Sequence, residues 1–298
     1  MKVGFIGVGQ MGIHMARHVL EAGFDLVVYD VSKDAAVSLL EKGAQWADTP
    51  KEVARACSMV ITCLPTPQVV EGVIYGADGL KAGWKPGDIY IDMSTNSVSG
   101  VRKIAEDAAA MGVGMLDAPV SGGTRGADAG TLTIMVGGEA AVLEQARPVL
   151  EPMANKIFHV GSVGCGDVAK LVNNLIGLGC NSISAEGFAL GVKAGIDAQV
   201  LYDLLTISTA DNWSLRQYPN STFKGNFKPG FKISLAYKDI GLALGLGAEY
   251  GVPLPVAEAV REDLRDAIDR GRADNGVDAV ILALEEAAGM EVRTQQES

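Results

Sequence analysis

The sequence predicts an α/β protein: a mainly parallel, doubly wound sheet over residues 1–162, then an all-α domain over 163–298 built on one long interdomain helix. Three observations predict it. Residues 1–160 alternate short apolar runs with helical patterns, and most of the runs are continuous, as in strands covered on both faces. A glycine-rich turn separates the first apolar run from the first amphipathic stretch. Beyond about residue 162 the strand pattern stops and helical periodicity takes over.

The strands are expected at Val3–Ile6, Leu26–Tyr29, Met59–Leu64, Ile89–Asp92, Met115–Asp117, Leu132–Val136 and Ile157–Val160. Helices are expected at Met11–Ala22, Lys33–Lys42, Thr49–Ala56, Ser97–Met111 and Ala140–Met153. Three strands run into small polar residues, at Leu64-Pro65-Thr66-Pro67, Asp92-Met93-Ser94-Thr95 and Asp117-Ala118-Pro119-Val120-Ser121-Gly122-Gly123. Ligands of doubly wound sheets bind at the carboxyl ends of the strands, so these loops are the expected pocket walls. The second domain is expected to hold helices at Asp167–Gly195, Gln199–Ile207, Leu235–Tyr250, Val256–Gly271 and Val277–Ala288. Val292–Ser298 is polar and expected to fray.

The glycine turn is Gly7-Val8-Gly9-Gln10-Met11-Gly12, and the next strand ends at Asp30. In that order each residue has a physical task. Gly7 permits the tight turn, Gly9 lets backbone approach a pyrophosphate, and Gly12 lets helix and strand pack closely. The helix N-terminus offers unpaired N–H groups to phosphate oxygens. Asp30, about 20 residues on, can accept both ribose hydroxyls of an adenosine. The alternative, a plain glycine-rich surface loop, leaves Asp30 and the flanking periodicities unexplained. The pattern is the Rossmann dinucleotide fingerprint. A 2′-phosphate would be repelled by the Asp30 carboxylate, so NAD is expected over NADP.

The chain is 48% hydrophobic and 20% charged, with ample material for a core. A mean hydropathy of +0.20 is far from the disordered regime. Its net charge of −11 argues against nucleic acid and against an acidic membrane surface. The four cysteines, Cys57, Cys63, Cys165 and Cys180, form no C-x-x-C and suit reduced thiols. With neither a secretory leader pattern nor 18 consecutive apolar residues, the expectation is a cytoplasmic protein without a membrane span.

The stretch Asp167–Gly195 would run roughly 43 Å as a helix. It carries no charge between Lys170 and Glu186, which predicts burial nearly all round. Lys170, Asn173/Asn174, Gly177, Asn181 and Ser184 form a small, polar stripe, expected to face a polar cavity or another backbone. Lys170 and Asn174 share a face at i and i+4. A lysine held there in a low dielectric is usable as acid or base near neutral pH, whereas an ordinary solvated lysine is the bland reading. Ser121-Gly122-Gly123 can turn several N–H groups toward one anion, such as a substrate carboxylate, or be a plain turn. Arg125 either adds charge there or faces solvent. His14 and His18 lie at i, i+4 without a third ligand in view, so no metal site is read from them. His159 is expected to be structural. Trp213 either roofs the pocket or packs in the core.

Taken together, these motifs resemble the β-hydroxyacid dehydrogenase family over about residues 3–290. Phe5-Ile6-Gly7-Val8-Gly9-Gln10-Met11-Gly12 looks like its cofactor signature, and Asp117 to Gly123 like its substrate-carboxylate loop. Gly166-x-x-x-Lys170-x-x-Asn173-Asn174 is similar to its catalytic helix, and Tyr237-Lys238-Asp239 to its late Lys-Asp pair. The resemblance implies Lys170 as general acid/base and Asn174 as the group that positions the reacting oxygen or the lysine. It implies Ser121, Gly122, Gly123, Asn173 and Asp239 around the substrate. Gly7, Gly9, Gln10, Met11, Gly12, Asp30, Leu64, Pro65, Thr95 and Lys238 would serve the NAD site. The implied reaction is hydride transfer between nicotinamide and a short β-hydroxyacid of 3-hydroxyisobutyrate type, or its semialdehyde. Tartronate semialdehyde and sulfolactaldehyde are alternatives on the same scaffold. The implied state is a homodimer or homotetramer. Imine reductases usually lack the lysine, 6-phosphogluconate dehydrogenases are much longer, and a non-catalytic binding module would tend to lose Lys170.

Overall fold

The computed structural model describes residues 1–294. The chain splits into two compact units, Met1–Lys170 and the remainder from Leu171 on.

The first unit holds β1 (Lys2–Ile6), β2 (Asp25–Tyr29), β3 (Gln45–Trp46), β4 (Met59–Thr62), β5 (Ile89–Asp92), β6 (Gly114–Asp117), β7 (Val120–Ser121), β8 (Leu132–Gly138) and β9 (Ala154–Gly161). They form one sheet in the order β3-β2-β1-β4-β5-β6-β8-β7, with β9 on β8. From β3 to β6 every pair is parallel; Val3, for example, lies opposite Leu26 and Met59. β8 runs antiparallel to β6 and β7 and parallel to β9. The order reverses between β1 and β4, the switch point where such sheets open a crevice.

The helices of this unit are α1 (Gly12–Glu21), α2 (Val37–Glu41), α3 (Pro50–Ala56), α4 (Pro67–Tyr75), α5 (Val98–Ala110), α6 (Gly123–Ala129) and α7 (Ala140–Leu150). Phe5, Val28, Ile61, Ile91 and Leu116 face one core, while Ile6, Val27, Val60, Tyr90 and Met115 face the other. Alternate residues of each strand therefore enter two cores, which is why the strands read as continuous apolar runs. Thr49, Thr66 and Ser97 cap α3, α4 and α5 with their hydroxyls.

Helix α8 (Cys165–Lys193) begins in the first unit and continues through the second, where α9 (Ala198–Leu205), α10 (Ile233–Glu249), α11 (Pro255–Asp269) and α12 (Ile281–Ala288) follow. The core of the second unit gathers Phe188, Tyr218 and Phe223, whose ring centroids lie 4.5–5.8 Å apart, with Ile240, Leu264 and Ile281. By length and composition α8 could cross a membrane. Its polar side chains are instead bonded inside the second unit: Asn181 Nδ2 donates to the Val277 carbonyl, and Ser184 Oγ accepts from Asn212.

Several elements depart from the sequence reading. β3, β7, α4 and α6 were not expected, the first two being only two residues long. The expected helix 33–42 splits into a 3-10 turn, Lys33–Ala36, and α2. α8 is not buried all round: Ile176, Ile183 and Leu190 are 61%, 63% and 74% exposed. Its uncharged stretch combines an inner face of core residues Leu171, Leu178 and Ala185, with bonded Asn174, Asn181 and Ser184 among them, and aliphatic side chains on the exposed side. Val292 is fully buried, and its N–H donates to Glu285, so the expected fraying does not begin there. Residues 295–298 of that expectation lie outside the described residues.

The end of β6 holds the start of α8. The buried Asp117 carboxylate accepts the N–H groups of Gly164 (2.8 Å) and Asp167 (2.9 Å). Burial pushes its carboxyl up to about 6, outweighing the two N–H bonds that lower it. A raised folded value stabilises at low pH, and that contribution is lost as pH rises through it. Asp117→Ala should destabilise by about 1–3 kcal/mol for each orphaned N–H. The wild-type margin over the variant should be largest below about pH 4 and narrow by about 3 kcal/mol on going above about pH 6. Urea unfolding of both proteins at the two ends of that range measures it, and a margin that widens with rising pH would refute the account.

Candidate active site

The glycine loop leaves β1 and enters α1 at the switch point. Gly7 has φ 88°, and a Cβ there would sit 2.4 Å from the Cys63 carbonyl oxygen. A Cβ on Gly12 would lie 1.9 Å from the Gly7 oxygen. These two glycines are required by the protein's own packing. Gly9 is different, because its Cβ would meet nothing within 4 Å. The crest of the loop is open, as a pyrophosphate approaching the backbone requires. Met11, half-buried, packs on the core beneath the loop, and Gln10 is exposed beside it.

Asp30, at the end of β2, is half-buried and holds this loop. Its Oδ2 accepts the Val8 N–H at 2.9 Å and its Oδ1 the Ser32 N–H at 3.0 Å. Each oxygen has two lone pairs, so the carboxylate can still accept ribose hydroxyls. Leu64 and Pro65 follow β4, and Thr95 follows β5. The Leu64 N–H donates to Ser94 Oγ at 2.9 Å, which joins those two loops. The residues present fit a dinucleotide: an open glycine crest, a helix N-terminus and an acid at the neighbouring strand end.

Ser121 closes β7, pairing with Thr133 of β8. Gly122 (φ 135°) and Gly123 (φ 62°) then lead into α6, with both glycines exposed. Consecutive positive φ values are open to glycine alone at no steric cost. Arg125 is exposed.

Lys170 lies on α8 one turn after Asp167 and is half-buried. In the second unit, Asn174 Nδ2 donates to Asp239 Oδ2 at 2.6 Å, and its Oδ1 accepts from Asn173 at 3.0 Å. Lys238 Nζ pairs with Asp239 Oδ1 at 2.9 Å, with Asp239 only 2% exposed. The structure thus joins Asn173, Asn174, Lys238 and Asp239 into one polar network. Buried polar groups survive only when partnered in this way.

Sequence reasoning placed Asp92 in a pocket-wall loop but missed the bonds it makes with a second set of residues. Asp92, fully buried, accepts from Thr62 Oγ1 (2.9 Å), the Ser94 N–H (3.0 Å) and Asn96 Nδ2 (3.1 Å). Burial raises its carboxyl, against those three bonds. Asp167 accepts the Asn96 N–H at 2.8 Å. The available signal was an acid at the last position of both β5 and β6. Trp213 is 73% exposed, so it is not a core residue. It lines a cavity of about 290 Å³ with Asn173, Gly177, Cys180 and Asn212. Cys57 is buried, with its thiol pushed up to about 12 by desolvation, and all four cysteines are free.

Residues 2–161 match the family model described as the NAD binding domain of 6-phosphogluconate dehydrogenase. Residues 164–284 match that described as the NAD-binding of NADP-dependent 3-hydroxyisobutyrate dehydrogenase. The chain is 38% identical over 294 residues to 2-(hydroxymethyl)glutarate dehydrogenase of Eubacterium barkeri, covering 98% of this chain and 97% of that one. It is 41% identical over 266 residues to 3-hydroxyisobutyrate dehydrogenase of Pseudomonas aeruginosa, covering 87% and 89%. Among solved structures, 3-hydroxyisobutyrate dehydrogenase of Mycobacterium tuberculosis, determined with L-serine, superposes with a TM-score of 0.88 at 36% identity, covering 95% and 98%. Sheet order, glycine loop and matched domains define an NAD-dependent oxidoreductase. The chain belongs to the β-hydroxyacid dehydrogenase family.

The two kinds of glycine separate by experiment. Gly12→Ala should cost about 3 kcal/mol or more, since backbone must move. Gly9→Ala should shift stability by only about 0.5 kcal/mol yet weaken NAD binding at least about tenfold. Thermal melts with NAD titration of each variant read both. An unaltered NAD affinity in Gly9→Ala would sink the assignment.

Proposed function

We propose that the chain interconverts a short β-hydroxyacid of 3-hydroxyisobutyrate type and its semialdehyde. Both curated relatives above are named for a β-hydroxyacid. The observation that carries the reading is the Asp117 anchor. The acid at the end of β6, four residues before Ser121, binds the first turn of the helix that presents Lys170.

NAD supplies the hydride acceptor when bound, and the donor in reverse. The protein's own residues handle the substrate and its proton. Ser121 and the N–H groups of Gly122 and Gly123 hold the carboxylate. On oxidation Lys170 Nζ, as the neutral amine, takes the hydroxyl proton. On reduction the ammonium offsets charge growing on the oxygen and returns the proton. Asn174 gives one N–H to Asp239 and offers the other to that oxygen or to the lysine, with Asn173 and Asp239 fixing its amide. Two-point attachment of carboxylate and hydroxyl presents one carbinol hydrogen for transfer. Asp30 selects NAD over NADP by repelling a 2′-phosphate. Residues 1–162 serve as the cofactor domain and 163–298 as the substrate and oligomerisation domain.

We also propose a homodimer or homotetramer in which the apolar outer face of α8 meets another copy. Exposed Ile176, Ile183 and Leu190 need such a partner. A cytoplasmic setting suits the four free cysteines and is read by cell fractionation.

A panel of short hydroxyacids, run with NAD and NADP, should show turnover of at least one with NAD. Lys170→Ala should lower kcat roughly 10³-fold while NAD affinity holds within about twofold. Equal turnover in the variant would end the role given to Lys170, and a preference for NADP would end that given to Asp30. Light scattering should return two or four times 31.1 kDa, and Ile183→Glu should shift it toward one copy. A wild-type monomer would contradict the assembly.

A further inference from the structure

Helices α1 and α6 are joined by a clamp for which the site described above has no use. α6 has seven residues, too few to hold a helix by its own hydrogen bonds. At its end the Gly130 N–H donates to the Ala127 carbonyl at 3.3 Å, and two side chains of α1 add caps on the carbonyls of Ala127 and Asp128. His18 Nε2 lies 3.1 Å from the Ala127 oxygen and 3.0 Å from the Asp128 oxygen, bonds that use the Nε2–H tautomer, and Arg17 Nη2 stands 3.3 Å from the same nitrogen. Arg17 Nη2 donates to the Asp128 oxygen at 2.6 Å. The Asp128 carboxylate in turn accepts from Arg17 Nη2 at 3.1 Å and pairs with His14 Nδ1 at 3.0 Å.

Gly130 makes room for this. It closes α6 with φ 66°, and a Cβ there would stand 3.1 Å from His18 Cε1. The Thr131 N–H turns back to the Gly126 carbonyl, so α6 ends in a tight left-handed cap. The Asp128 side chain is 58% exposed, so its ion pairs contribute little by themselves. The carbonyl bonds from Arg17 and His18 carry the connection.

What the two helices begin with gives the clamp its meaning. α1 starts at the glycine loop, and α6 starts at Gly123 directly after Ser121-Gly122. We propose that Arg17 and His18 are positioning residues: by capping α6 they hold the Ser121-Gly122-Gly123 loop in register with the helix of the cofactor loop, and so set affinity for the substrate carboxylate. The inference rests on the reading of that loop as the carboxylate holder.

Arg17→Ala and His18→Ala test it in the full-length enzyme, with Arg17→Lys as the conservative variant. Hydrogen exchange over residues 123–131 should quicken in both alanine variants, with protection elsewhere in the first unit retained. KM for the hydroxyacid identified by the panel should rise about five- to tenfold with kcat within about twofold, the pattern of lost uniform binding. NAD affinity, read by fluorescence titration, should stay within about twofold, and Arg17→Lys should recover part of the KM. Unchanged KM with unchanged exchange overturns the proposal. So does a loss of protection across the whole sheet with kcat, KM and NAD affinity all impaired, which would make the residues supports of the fold alone. If exchange quickens only at 123–131 and KM holds, the clamp exists and its link to the substrate is overturned. A wild type that turns over no hydroxyacid sinks the functional reading instead, and the exchange data still report on the clamp.

Discussion

One buried carboxylate ties the carboxyl end of the sheet to the start of α8. Asp117 has no exposed surface, and removing an ionised carboxyl from water is costly. The structure compensates with two N–H donors from the start of α8, where unpaired N–H groups and the positive end of the helix dipole both favour an anion. Compensation is incomplete, since the carboxyl still sits well above its ordinary range. The backbone around it has been pared to glycine for the same reason. A Cβ on Gly137 would come 2.4 Å from Asp117 Oδ1, and one on Gly166 would come 2.8 Å from Oδ2. A strand end, a glycine strand and a helix start close on one acid, so the helix that bears Lys170 has its first turn fixed from the sheet.

Asp92 repeats the device one strand away, with different partners. It is held by a hydroxyl, an amide and a backbone N–H rather than by a helix, and Thr62 extends the chain of bonds to Tyr90. Asn96 then links the two acids' territories: its side chain donates to Asp92 and its backbone N–H to Asp167 of α8. Such networks are stable only when fully partnered, and their rigidity is what a site requiring fixed donors needs.

Period and punctuation carried much of the fold in the sequence. Phe5 and Ile6, or Ile61 and Val60, face opposite cores, so a run without alternation correctly signals a two-sided sheet. The small elements escaped because their signals are tertiary. β7 has two residues, and it pairs with Thr133 and Ile134 only once the chain returns through α6. α6 is rich in glycine and held by caps from α1, so no local propensity announces it. α4 did have a local mark, Thr66 before Pro67, the pattern of a capped first turn. In the candidate site, the motif residues were legible as a set. Their bonds were not: that Asp30 holds Val8, or that Asn174 is clasped by Asp239 65 residues on, follows only from the fold.

α8 shows why an absence of charge is ambiguous in a sequence. A helix without charges is usually one surrounded by core, because exposed positions favour solvated residues. Here the inner face carries Asn174, Asn181 and Ser184, each bonded to a neighbour inside the second unit. The outer face carries Ile176, Ile183 and Leu190. Burying the amides is tolerable because their partners are present. Exposing the large aliphatic side chains costs about 25 cal/mol for each Å² left in water, and the described residues of one copy leave them uncovered. The helix thus sets its bonded amides and hydroxyl among buried Leu171, Leu178, Ala185 and Phe188, while large aliphatic side chains also stand on its exposed side. Those exposed aliphatic side chains are the physical ground for expecting another surface to cover them.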